Sequence, residues 1–400
     1  MTLVPLQQLL ELSDSGVWGD EDTENGISVL RSTNFNNDGT IDFSNLTFRA
    51  IEERKREAKI IEEGDILLEK SGGGPKQPVG RVCLFRGHAI PHSFGNFIAR
   101  LRPKSDILSE FLFYFLWRFH AEGKTSHYQK QTTGIRNLET KRFLTISVPV
   151  PPLPEQRRIV DILSRAEGIV RLRREAEKKA AELIPALFLE LFGDPATNPK
   201  GWPVRSLGEI IADGPQNGLY KHASLYGEGT PILRIDSFYD GQVLNLEGLK
   251  RVRIATDEQQ RFRLHSRDIV INRVNSPEYL GKSAIIPLLN EETVFESNMM
   301  RFTVDTAVLL PEYLIGLLQT AHAKAHFLAN AKHAINQSSI NQQDVKSLMV
   351  PLPLLMHQAA FAERIEQIRS IQSQQFAATA KAQAAFDALL ARCFEQPTMA

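Results

Sequence analysis

The residues able to do chemistry are few, and each group falls short of a complete site. Gly123-Lys124-Thr125 and Gly281-Lys282-Ser283 resemble the end of a phosphate loop. That loop also needs a glycine five residues before its last one, and those positions hold Arg118 and Ser276. Asp65, Glu69 and Lys70 have the spacing of a nuclease carboxylate-lysine cluster, but the matching positions later in the chain are Asp268, Asn272 and Arg273, which could not bind a metal the same way. A capping or turn role is expected for Asp65 and Asp268. His88 and His92 straddle Pro91, and His322 and His326 lack the glutamate of a zinc-protease helix, so surface pairs are expected rather than metal ligands. There is no glycine-rich cofactor loop after a strand and no Asn-Pro-Pro-Tyr-type tetrapeptide. No catalytic residue, metal site or resident cofactor is expected.

What remains is polar loops rich in residues that read base edges and hold phosphates. One pair of loops runs Lys70-Ser71-Gly72-Gly73-Gly74-Pro75-Lys76-Gln77 and Lys130-Gln131-Thr132-Thr133-Gly134-Ile135-Arg136-Asn137. The other runs Asn272-Arg273-Val274-Asn275-Ser276 and Lys332-His333-Ala334-Ile335-Asn336-Gln337-Ser338-Ser339. Candidate nucleic-acid contacts are Lys70, Ser71, Lys76, Gln77, Lys130, Thr133 and Arg136 in the first pair. In the second they are Asn272, Arg273, Asn275, Lys332, Asn336, Gln337 and Ser338. Arg31 and Asn34, with Arg234 and Asp236 in the matching segment of the second copy, complete the set; Arg31 and Arg234 are identical in both copies and suit the scaffold or generic backbone contacts.

These loops are positioned by a duplication. Gly26–Phe35 answers to Gly229–Phe238, GDILLEK from Gly64 to RDIVINR from Arg267, SEFLFYFL from Ser109 to PEYLIGLL from Pro311, and VPVPPLPEQ from Val148 to VPLPLLMHQ from Val350. The offset stays at 202 or 203 residues, which marks two copies of one module. Each copy reads as short strands, a compact apolar helix (Ser109–Phe119, Pro311–Gln319), a polar loop, and a last strand leading into prolines. A long helix follows each. The first covers about 38 residues and ~57 Å, with a seam at Ile162, Ala166, Ile169, Ala176, Ala180, Leu183 and Leu187; the second has its seam at Ile368, Ile371, Ala378, Ala382, Ala385 and Leu389. Gln156 maps onto Gln358. Pro185 predicts a kink or break late in the first helix. The expected fold is α+β, with one α/β domain at 1–150, its helix at 151–193, a linker at 194–202, a second domain at 203–350 and its helix at 351–396. Periodicity alone leaves the two helices free to pair parallel or antiparallel.

Composition fits this plan. The chain has 400 residues, 42% hydrophobic and 24% charged, which suggests two or three domains. No apolar run reaches membrane-spanning length, and MTLVPLQQLL has no signal-peptide form. Two distant cysteines, Cys83 and Cys393, suit a reducing cytoplasm. Lys+Arg and Asp+Glu both total 47, a balance that counts against DNA binding by this chain alone.

At PPLPEQRRIVDIL, its weaker copy at the C-terminus and the junction LFGDPATNPKGWPVRSLGEI, the sequence resembles the specificity subunit of type I restriction-modification systems. Copy two departs from the motif, with Leu354-Leu355-Met356-His357-Gln358 in place of Leu-Pro-Glu-Gln. The resemblance implies two target-recognition domains and an antiparallel coiled coil of the long helices that spaces them on double-stranded DNA. It implies a split, asymmetric target and no catalysis in this chain. It also implies two methyltransferase subunits carrying S-adenosylmethionine, and ATP-dependent restriction subunits as further partners. A divergent nuclease and a coiled-coil scaffold with no nucleic-acid role are the rival readings.

Overall fold

The computed structural model describes residues 2–74, 77–132, 135–334 and 337–395. The chain divides into two compact units: Met1–Leu172 with Thr379–Ala400, and Arg173–Ala378. Each long helix therefore contributes one part to each unit.

In the first unit the chain is closed where it begins. Thr2–Pro5 pairs antiparallel with Ser147–Val150, so both ends of the globular part meet beside the start of the long helix. The central sheet orders Leu10–Ser15, Ile98–Pro103, Ile66–Glu69 and Val82–Leu84, all antiparallel. Ile66-Leu67-Leu68-Glu69 is buried at every position, as a strand covered on both faces must be. A second sheet of Asp20–Glu21, Thr47–Ala50, Ile27–Leu30 and His92–Phe94 ends in a parallel pair. The helix Ser109–Ala121 buries six consecutive residues from Phe111 to Leu116. It is covered all round because the same core takes in Ile159, Leu163 and Val170 of the first long helix and Phe386, Leu390 and Phe394 of the second.

The second unit repeats the plan. Val204–Ser206 pairs with Met349–Pro351, and the central sheet runs Ile211–Asn217, Met299–Val304, Ile269–Asn272, Ser283–Ile285 before adding Gly241–Val243 and Phe238–Tyr239. The short helix Pro311–Leu318 shares its core with Ile184, Phe188 and Phe192 of the first long helix and Phe361 and Ile365 of the second.

The first long helix spans Leu153–Phe192 without interruption at Pro185, so the expected break is absent. The second spans Leu355–Phe394. The buried line on the first helix runs through Leu163, Val170 and Ile184, whereas Ile169 and Leu183 are exposed. Burial there falls one residue beyond Ile169 and Leu183, while Ala180 of the expected seam is buried, because the cores of the globular parts cover Leu163, Val170 and Ile184. On the second helix Ile371 is exposed, and Phe386 and Leu390 are buried beside the expected Ala385 and Leu389.

One glutamine fastens each long helix to its globular part. Gln156 is buried; its Oε1 accepts from Leu108 N at 3.0 Å, and its Nε2 donates to Pro151 O at 3.0 Å and Asp106 O at 3.4 Å. Gln358 repeats this with Leu310 N at 2.8 Å, Pro353 O at 2.8 Å and Val308 O at 3.1 Å. Its amide satisfies the backbone N–H of the residue that caps the short helix and two loop carbonyls. Gln358→Leu keeps the bulk and orphans those three groups. Urea denaturation should show a loss of about 2–4 kcal/mol; a change below ~0.5 kcal/mol would remove the clamp from this account.

Candidate nucleic-acid interface

The two polar loops of each copy become one small sheet. In the first unit Gln129–Thr132 and Ile135–Leu138 form a hairpin, and Ser71–Gly73 pairs onto it. In the second, Lys332–Ala334 and Gln337–Ser339 form the hairpin, and Val274–Asn275 joins it. Segments about 60 residues apart in sequence are thereby brought together, twice. Gly72, at φ +100°, sits under the Phe97 ring in a conformation that L side chains rarely adopt.

The candidate residues separate by what their side chains already hold. Lys130 is exposed and reaches Glu139 at 2.6 Å. Arg136 is half-buried on the central strand. Lys70 Nζ donates to Ser15 Oγ at 2.6 Å, and burial, then the charge of Lys59, lowers its pKa. Ser71 Oγ bonds Asn137. Gln77 is exposed beside Gly74. In the second unit Lys332 and Gln337 are exposed, Ser338 is buried against His333 Nδ1 at 2.9 Å, and Asn275 accepts from Ser276 N. Arg273 donates to Ser297 O at 3.1 Å. Lys76, Thr133 and Asn336 lie outside the described residues.

Other candidates lie away from these sheets. Asn34 is buried with its amide spent on Asp42 O, Asn45 O and Arg31 N, at 2.9–3.0 Å. Asn272 is buried at the end of the central strand. Arg31 donates to Asn45 O; Arg234 pairs with Glu296 at 3.3 Å, while Asp236 is exposed. Phe97 and Ile135, each 48% exposed, were not among the candidates although they stand on or against the first small sheet. Their signal is faint, since isolated apolar residues in polar stretches read as core.

The carboxylates of the nuclease-like cluster are saturated. Asp65 is fully buried, with Arg102 at 2.7 and 2.8 Å and Glu62 N at 2.8 Å. Glu69 takes both Arg81 Nε and Nη2, at 2.8 and 2.9 Å. Both are locked in ion pairs of the scaffold. His88 and His92 contact each other, His92 Nε2 to His88 Nδ1 at 2.8 Å, with His92 Nδ1 on Ser28 Oγ at 2.8 Å.

The comparisons decide the kinship. The family profile described as "Type I restriction modification DNA specificity domain" matches residues 19–182 and again 199–378. The chain belongs to that family. The specificity subunit of the type I restriction enzyme StySPI of Salmonella potsdam is 26% identical over 366 residues, covering 86% of this chain and 75% of that protein. The EcoKI specificity subunit of Escherichia coli K12 is 28% identical over 364 residues, with the same coverage. Among solved structures, a chain from a study of type I R-M complex assembly and conformational transition superposes with a TM-score of 0.58 at 17% identity, covering 98% of this chain and 97% of that one. The type I restriction-modification S subunit of M. genitalium gives 0.52 at 14% identity, covering 99% and 96%. The family's tandem match falls on the two copies. Among the described residues, no helix is long and apolar enough to cross a membrane.

Burial and then the neighbouring His88 push the His92 pKa down to about 4, and burial and then Arg81 do the same to His120. In the unfolded chain both rings titrate near ~6.5. The unfolded state therefore binds more protons between these values, and stability should fall by about 3–5 kcal/mol as pH drops from ~6.5 to ~4. Denaturant titrations across that range check this, and His92→Gln should flatten the slope by roughly half.

Proposed function

We propose that this chain is the DNA-recognition subunit of a type I restriction-modification complex, reading a split, asymmetric target and catalysing nothing itself. The carrying observation is the duplication of one module, each copy gathering its divergent polar segments into one small sheet. Exposed Lys130, Lys332 and Gln337, with Arg136, are the side chains best placed to meet phosphates and base edges, and Lys70, Ser71, Gln77, Asn275 and Arg273 flank them. Arg31 and Arg234 lie outside the sheets and suit backbone phosphates, whereas the carboxylate of Asp236 would repel them. Buried Asn34, Asn272 and Ser338 shape the surface instead of reading from it. Apolar Phe97 and Ile135 suit thymine methyl groups.

The two long helices pair antiparallel as a coiled coil that spaces the recognition domains. Support comes from within the second unit, where partners descend on one helix as they ascend on the other: Arg173 meets Gln375 at 3.2 Å, Ala180 O accepts from Gln372 at 2.8 Å, and Phe188 and Phe192 pack on Phe361. Two methyltransferase subunits bind S-adenosylmethionine and flip the target adenines, and restriction subunits supply ATP-driven cleavage. Shared subunits also explain how a chain with 47 basic and 47 acidic residues works on DNA, since partners complete the phosphate clamp. The nuclease alternative has no open carboxylate pair at Asp65 and Glu69, and the scaffold alternative gives no reason for two divergent polar sheets.

Co-expression with the methyltransferase subunit in a methylation-free host, followed by single-molecule sequencing, tests the reading. A two-part motif with one methylated adenine in each half is expected; a continuous motif, or none, contradicts it. Arg136→Ala should relax one half-site alone by about 1–3 kcal/mol per affected base pair. Lys332→Ala should instead weaken binding across sequences and reduce its salt dependence.

A further inference from the structure

The backbone hydrogen bonds of the two small sheets fix which residues correspond. Lys70 N donates to Phe97 O at 2.9 Å, and Leu138 N to Lys70 O at 2.8 Å. In the second unit Arg273 N donates to Asn298 O at 2.8 Å, and Ile340 N to Arg273 O at 2.9 Å. Phe97 and Asn298 therefore occupy one position. In the hairpins Lys130 lies opposite Asn137 and Thr132 opposite Ile135, while Lys332 lies opposite Ser339 and Ala334 opposite Gln337. Lys130 thus answers to Lys332, and Ile135 to Gln337.

The exchange runs the same way twice. Lysine is kept at the exposed hairpin position, as a phosphate contact common to both units would require. Near it, two half-exposed apolar side chains of the first unit, Phe97 and Ile135, give way to two primary amides in the second. Of these, Gln337 is exposed and Asn298 half-buried. The backbone has changed with them. In the first unit Ser71 lies opposite Asn137 and Gly73 opposite Arg136, which leaves Gly72 as the extra residue of a bulge. A Cβ on Gly72 would stand 3.5 Å from the Phe97 ring, so the ring rests against the bulge. In the second unit Val274 and Asn275 pair directly with Ser339 and Ser338. The first unit's strand is shaped around a ring that the second unit replaces by an amide.

We infer that the two units read A·T pairs from opposite edges: Phe97 and Ile135 pack on thymine methyl groups in one half-site, and Asn298 and Gln337 bond adenine in the other. This rests on the DNA-reading role proposed above and adds Asn298 and the base class to it. In the major groove thymine shows a methyl group beside one acceptor, whereas adenine shows an N7 acceptor beside an N6 donor. An apolar side chain gains from covering the methyl and makes no hydrogen bond to adenine. An amide matches the adenine edge with its own donor and acceptor. Cytosine lacks the methyl and guanine lacks the donor, so each choice excludes G·C pairs.

The test uses the full chain with its methyltransferase partner, on the split motif that methylome mapping returns. Deoxyuridine, which lacks only the thymine methyl, replaces each thymine in turn; 7-deazaadenine, which lacks the N7 acceptor, replaces each adenine. Binding should weaken about threefold or more at one or more deoxyuridines of one half-site. Each such loss should vanish in Phe97→Asn or in Ile135→Gln. Binding should weaken about fivefold or more at one or more 7-deazaadenines of the other half-site, and each of those losses should vanish in Asn298→Ala or in Gln337→Ala. Full tolerance of either analogue, or losses that persist unchanged in all four variants, overturns the assignment. Thermal melting checks that the variants fold; if Phe97→Asn or Asn298→Ala does not, the Ile135 and Gln337 variants carry the test on the same criteria. A complex that methylates a split motif yet is indifferent to both analogues refutes the assignment and leaves the DNA-reading function standing. One that methylates no split motif fails that function and this assignment with it.

Discussion

A buried primary amide is the constraint on which each half of this protein depends. Gln156 and Gln358 sit where a loop, a short apolar helix and the start of a long helix converge, and each fills three backbone hydrogen-bonding needs at once. An apolar side chain would strand those groups in a dry core, and a charged one would carry an unpaired charge. The prolines just before each glutamine stop the strand and free carbonyls for the amide to bind. Together these features hold each long helix at a defined angle to its globular part, so that anything reading DNA from that part is held by the helix as well.

Above this clamp the scaffold is stiffened by buried ion pairs. Arg100 reaches Asp14 and two carbonyls, Arg102 grips Asp65, and Arg81 grips Glu69; in the second unit Arg301 reaches the buried Asp268 and the exposed Asp213. Such pairs add geometric specificity through bidentate hydrogen bonding even where desolvation offsets much of their attraction. They also occupy both carboxylates of the nuclease-like cluster, Asp65 and Glu69. The small three-stranded sheets are free of this network at their exposed residues, and there the copies have diverged in sequence. A shared frame with variable edges suits a protein that must read two unlike half-sites with one architecture.

The duplication, the paired glutamines and the short apolar helices were all legible in the sequence, because each leaves a repeated pattern. Less could be read where a pattern depends on tertiary context. The polar stretches around Lys130 and Lys332 form hairpins, since strand pairing with Ser71–Gly73 and Val274–Asn275 supplies order that local composition does not reveal. Burial moved from Ile169 to Val170 and from Leu183 to Ile184 because the faces contacted by the globular parts, and not the heptad alone, choose the seam. Asn34 resembled a base-reading residue by type, yet its amide closes a turn, and nothing in a single sequence separates those two uses.

On the proposed reading the helices act as a ruler between two independent readers. Inserting four residues into both long helices where Arg173 meets Gln375 lengthens the pair by about 6 Å, close to two base-pair steps. Methylome mapping of the resulting complex should return both half-sites unchanged, separated by a spacer longer by about one or two base pairs. An unaltered spacer, or altered bases within either half, would contradict the account.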